Sequence, residues 1–200
     1  MYINELAKSE NDIQTPSNSS LYQDACHIID QAQQFAYHAV NEMLIKRNWL
    51  LGMRIQHEVL KEERAEYGEQ TIKKLAKVLT EKYGRGFKKS NLYSFVSFYQ
   101  NHQDFFQPLT GKSLDMADDN IFQSLTGKSP IRLSWTHYSI ILQELTAEGR
   151  SWYEQEAANE MWSTRTLQRN ISSQYYHRLL QSQDKAVVHN EKVKSTKPLQ

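Results

Sequence analysis

Cysteine is nearly absent. Cys26 is the only one, so neither an internal disulfide nor a cysteine-based zinc site can be assembled. No apolar run approaches the ~18 residues of a membrane span. The opening stretch, with Asn4, Glu5, Lys8, Glu10, Asn11 and Asp12, lacks the apolar centre of a signal peptide. Net charge has almost no sign either, since 24 bases against 23 acids leave +1. What is present is aromatic surface: eleven Tyr, seven Phe and four Trp in 200 residues. Each ring covers roughly 150–250 Å² when buried. A core is therefore affordable despite a mean hydropathy of −0.72, and a wholly disordered chain is excluded. The expectation is a soluble cytoplasmic protein with one medium domain or two small ones.

Charge is unevenly placed. Residues 1–70 hold eleven acids and six bases, whereas residues 71–92 hold seven bases (Lys73, Lys74, Lys77, Lys82, Arg85, Lys88, Lys89) and one acid, Glu81. Such a cluster is either an electrostatic footprint for phosphates or a solvated helix face.

Periodicity is helical throughout. Residues 1–19 are polar and read as a disordered lead. Ser19 or Ser20 can cap a long helix, or two helices bent near Gly52. Its spaced residues Ile28, Ile29, Ala32, Phe35, Ala36, Ala39, Val40, Met43 and Leu44 predict a core face, continued by Trp49, Leu50, Met53 and Ile55. A second helix is expected over about 68–83, stopped by Gly84 in a left-handed cap. Ser90 is the expected cap of a third, about 91–102, with Leu92, Phe95, Val96 and Tyr99 inward and Ser90, Ser94, Ser97 and Asn101 opposite. Helix, glycine turn and helix over about 68–102 form a helix-turn-helix-like element, although plain helical hairpins look similar. A variable loop over 104–131 carries a near-repeat: Phe106 to Ser113 recurs as Phe122 to Ser129, each copy ending Gly-Lys-Ser. A phosphate-binding loop would need glycine where Phe106 and Phe122 stand, so nucleotide binding is rejected. Helices resume over 134–181. Ser134 and Ser163 are the expected caps, Leu145 and Met161 are placed on inward faces, Gly149 allows a turn, and one helix runs from Ser163 to about Leu180. Residues 182–200 read as a linker or tail. The fold class expected is all-α, with the helix-turn-helix-like element followed by a second helical half.

Catalytic chemistry is missing. No lysine has Asp or Glu two positions before it, so the (D/E)-x-K half of a metal-dependent nuclease motif is absent. The seven histidines are scattered, Glu62 and Glu63 sit in a solvated charged stretch, and Cys26 beside His27 has no electropositive cradle. No catalytic residue, metal site or cofactor is expected.

Several segments together carry a resemblance. They are Ala65-Glu66-Tyr67-Gly68, Tyr83-Gly84-Arg85-Gly86-Phe87, Asn91-Leu92, Phe98-Tyr99, Leu133-Ser134-Trp135-Thr136-His137, and Trp152-Tyr153 through Trp162-Ser163-Thr164-Arg165-Thr166-Leu167-Gln168-Arg169-Asn170-Ile171. In order and spacing they resemble the YhcG-type family over about residues 22–181. The resemblance implies a helical N-terminal domain regarded as a DNA-binding module, normally followed by a nuclease domain of the PD-(D/E)XK class. This chain ends about where that nuclease domain would begin. Relatives often carry arginines in the third helix, where Ser94, Val96 and Ser97 stand, which places base reading by that helix in doubt.

The implied role is a non-catalytic, DNA-binding targeting module of a nuclease system, with RNA also open as ligand. Arg85, Lys88 and Lys89, beside Ser90 and Asn91 at a helix start, are the expected phosphate contacts, joined by Lys73 and Lys77. Ser94 could add base contacts, and Arg165 and Arg169, four apart, a second surface. The alternative is a helical protein–protein interaction or dimerisation module, with a second copy or a separate nuclease subunit as partner.

Overall fold

The computed structural model describes residues 20–60, 65–108, 121–122, 125–127 and 131–182. The expected lead over 1–19, most of the 104–131 loop with both Gly-Lys-Ser copies, and the tail beyond Ser182 lie outside the described residues. The architecture is all-α. Seven helices are described: α1 (Ser20–Leu60), α2 (Ala65–Tyr83), α3 (Lys89–Asn101), α4 (Trp135–Ile141), α5 (Ala147–Asn159), α6 (Thr164–Ser172) and α7 (Tyr175–Gln181), with a 3-10 turn at Arg85–Phe87. None of the described helices is long and apolar enough to cross a membrane.

Helix α1 is continuous through Gly52 but changes character along its length. Residues 20–40 are exposed except for half-buried Cys26. The core face expected at Ile28, Ile29, Phe35 and Val40 is therefore corrected, because three-and-four spacing marks one apolar side without supplying a neighbour to cover it. Burial begins in the body of residues 41–200, where α1 contributes Ile45, Trp49, Leu50, Met53 and Ile55. Gly52 explains how closely its second half meets α3. A Cβ built there would lie 2.0 Å from the carbonyl oxygen of Phe95, so only glycine permits this backbone approach.

Two apolar clusters result. Ile55, Ile72, Ala76, Leu92 and Phe95 join α1, α2 and α3. Ile45, Trp49, Phe98, Phe105, Tyr138, Tyr153, Trp162, Leu167 and Tyr175 belong to the larger cluster, which gathers α1, α3 and the C-terminal helices. Four expected inward residues beyond residue 40 are corrected, beginning with Met43 and Leu44 of α1, both exposed. Leu145 lies between α4 and α5 and Met161 follows α5 with φ 50°, and both are almost fully exposed.

Helix ends follow local chemistry. Ser134 accepts from the His137 N–H in a capping box, and Ser163 accepts from Thr166 N–H, as expected. Gly149 does not make a turn: it lies in the first turn of α5, where its N–H donates to the Thr146 hydroxyl that caps the helix. The single helix expected over 163–180 breaks at Ser173–Gln174, where Gln174 adopts φ 52° and starts α7.

One small sheet was not expected. Phe106–Pro108 (β1) pairs antiparallel with Leu125–Gly127 (β2), Phe106 opposite Gly127 and Pro108 opposite Leu125. The repeat thus pairs out of phase, the start of one copy against the middle of the other.

Candidate nucleic-acid interface

Helix α2 ends because Gly84 cannot continue it. Its N–H still donates to Thr80 O at 3.0 Å, yet its backbone turns to φ 91°, ψ −174°. That is a glycine-only conformation, extended rather than the left-handed cap expected. Phe87 N–H then bonds Gly84 O at 3.3 Å, and the Asn91 side-chain amide donates to Gly86 O at 2.9 Å. Asn91 therefore braces the turn. Beneath it, the Arg47 guanidinium of α1 lies 5.1 Å from the Phe87 ring centre, and Phe87 packs on Tyr83. Burial lowers the Arg47 pKa. Sequence reading missed Arg47 because nothing local couples it to a turn nearly forty residues away.

Helix α3 starts one residue before the expected cap. Ser90 lies inside the helix, and Lys88 holds the N-cap position without a side-chain cap. The first turn of α3 thus opens beside exposed Lys88 and Arg85 with no protein side chain capping it. Lys89 is engaged: its ammonium meets the Glu69 carboxylate at 2.6 Å and sits 5.7 Å from the Tyr93 ring centre. The hydrogen bond from Lys89 holds Glu69 below the usual carboxylate range, helped by Lys73, while Glu69 raises Lys89. This pair ties the second turn of α2 to the first turn of α3.

Lys73, Lys74 and Lys77 are exposed and line one shallow depression with Glu69 and Gln70. Lys89 thus contacts Glu69 and Lys73 adds its charge nearby, while Arg85 and Lys88 stand at the turn. The small polar face of α3 is bonded to its own backbone: Ser94 Oγ donates to Ser90 O at 3.2 Å and Asn101 Nδ2 to Ser97 O at 2.7 Å. Arg165 and Arg169 are exposed on α6, which packs with α4, α5 and α7. They form a patch on a different element from the α2–α3 cations. Among the described residues, no three His, Cys, Asp or Glu side chains converge as metal ligands would.

Residues 24–178 match the family model described as the DUF1016 N-terminal domain. The chain is 32% identical over 187 residues to an Escherichia coli (strain K12) protein named "Putative nuclease YhcG", covering 87% of this chain and 50% of that one. It therefore spans about half the length of that curated relative. No solved structure matches.

Proposed function

Because this chain belongs to the DUF1016 N-terminal domain family, we propose that it binds duplex DNA through phosphates as the non-catalytic targeting module of a nuclease system. The observation that carries the reading is the side-chain-uncapped start of α3 beside Lys88 and Arg85, with Lys73, Lys74 and Lys77 exposed on the preceding helix. Backbone N–H groups at a helix start favour anions, and flanking cations strengthen that preference. Specificity is expected to be slight. Base edges are read best by arginine, and the outward face of α3 offers Ser94, Ser97 and Asn101 instead. The family's nuclease relative motivates the catalytic half of this reading: cutting belongs to a domain carrying the (D/E)-x-K motif, which this sequence does not contain.

Each neutralised phosphate contributes a log–log salt slope of about −0.9, so three to five contacts give roughly −3 to −4.5. Replacing Lys88 and Lys89 together with Ala should flatten the slope by about one to two units and weaken all sequences alike. Titrating labelled duplex across a salt series decides it. No binding at low salt, or a double variant equal to the parent, makes the cluster a solvated face. The interaction-module reading then leads, supported by the exposed apolar side of α1.

A further inference from the structure

Between Ser20 and Val40, helix α1 exposes large apolar side chains: Leu21 is 78%, Ile28 67% and Phe35 71% exposed, with Ile29 and Tyr22 beside them. In proteins most helical stability comes from packing of an amphipathic face, and in the single chain this stretch has none packed. The pattern repeats every seven residues. Leu21, Ile28 and Phe35 form one row, Ala25, Ala32 and Ala39 a second, and Tyr22, Ile29 and Ala36 a third. Large residues at one seam position and alanine at the other suit two helices packed side by side.

We propose that residues 20–40 pair with the same segment of a second copy of this chain, antiparallel, about a two-fold axis at residue 30. In an antiparallel pair, seam residues face each other when their numbers share one sum, here 60, and the two flanking rows pair at sums of 58 and 62. With that axis, Leu21 meets Ala39 of the other copy, Ile28 meets Ala32, and Phe35 meets Ala25. Each large residue of the seam, Leu21, Ile28 and Phe35, thus lies against an alanine. At the flanks, Tyr22 meets Ala36, Ile29 meets itself, Asp24 meets His38, and Gln31 meets itself. A parallel pair would stack Phe35 on Phe35 and Ala32 on Ala32, alternately crowding and emptying the seam. Closed two-fold pairing of one surface with itself is also the commonest symmetry of homo-oligomers.

Area and charge agree with this occupant. Of the large apolar side chains this segment exposes, the five in the seam and its flank offer about 600 Å² per copy when fully buried, at the lower edge of roughly 1,200 Å² total for a stable interface. Residues 20–40 contain Asp24 and Asp30 but no Lys or Arg, and their only basic side chains are His27 and His38, so the segment offers no permanent cation to nucleic acid or to an anionic lipid surface.

The test is sedimentation equilibrium of the 200-residue chain from about 1 to 100 μM, a range suited to micromolar association. A reversible monomer–dimer equilibrium is expected, weakened at least tenfold by Ile28→Asp. Orientation is read separately in a Cys26→Ser background with a short thiol crosslinker. Leu21→Cys and Ala39→Cys should each stay uncrosslinked alone and crosslink when mixed. A chain monomeric at every concentration overturns the proposal and leaves this face to a partner of different sequence. Self-crosslinking of Leu21→Cys alone overturns the antiparallel pairing.

Discussion

Replacing Gly52 with Ala sets two opposed effects against each other, and the structure decides between them. In an exposed helix the exchange should stabilise by about 1 kcal/mol, because glycine is the poorer helix former. Here the added methyl would sit 2.0 Å from Phe95 O, 2.6 Å from Phe95 C and 3.0 Å from the Tyr99 Cβ. Ordinary close C···O contacts are about 3.3 Å or longer. The backbones of α1 and α3 would have to separate by more than an ångström, loosening Ile55, Leu92 and Phe95 in their shared cluster. Overpacking of this kind costs typically 1–3 kcal/mol, and partial opening of a packed cluster adds to it. The expected net is a loss of about 2–3 kcal/mol, or roughly 4–12 °C in Tm at this chain length. The control is Gly86→Ala, where an added Cβ meets nothing within 4 Å. It should be neutral or gain a few tenths of a kcal/mol, as a restricted unfolded chain would. Urea and thermal melts of both variants provide the comparison. A Gly52→Ala protein as stable as the parent would refute the close approach of α1 and α3.

Gly84→Ala should cost about 1–3 kcal/mol by backbone strain alone, since no atom lies within 4 Å of the added methyl; urea melts check it. Glu69→Gln should strengthen duplex binding and steepen its salt slope by up to about one unit, because it removes an acid and frees Lys89; titration of labelled duplex checks it. Burial pushes the Glu144 carboxyl up, but Thr146 and His177 outweigh it and hold the carboxyl low. A depressed carboxylate stabilises the fold above the unfolded value of about 4.3 and loses that contribution as pH falls through the lower folded value. Glu144→Gln should therefore cost about 1–2 kcal/mol at pH 7 and progressively less as pH falls below the unfolded carboxylate value, read by urea melts across that range. Incubation with magnesium or manganese should leave DNA and RNA uncut by this chain; cleavage that copurifies with it would overturn the motif argument.

Local chemistry was the legible part of this sequence. Ser134 and Ser163 cap their helices because a hydroxyl before an apolar period acts on neighbours two or three residues away. Gly84 stops α2 for an equally local reason, although its conformation differs from the one expected. Features decided by distant partners were not legible. Gln174 takes a positive φ without any turn residue to announce it, and Gly149 resembles a turn because its cap, Thr146, looks like an ordinary threonine. The apolar side of residues 20–40 is plain in the periodicity, but periodicity cannot name what covers it. At the candidate interface the basic cluster was visible, whereas the Lys89–Glu69 pair and the Arg47 support depend on helices meeting across long stretches of chain.

Trp135 gives the body of the protein a single mechanical fate. Its ring lies 5.2 Å from Phe95 and 5.4 Å from Phe98, and it packs against both apolar clusters. Phe95 and Phe98 themselves sit three residues apart on α3, one in each cluster. Helix α3 therefore has no private unfolding route: opening it exposes rings on both sides, including those that hold the C-terminal helices. Its inner amides should exchange with solvent only when the whole body opens, so a destabilising change as remote as α6 raises the exchange rate at the first helix after the glycine turn.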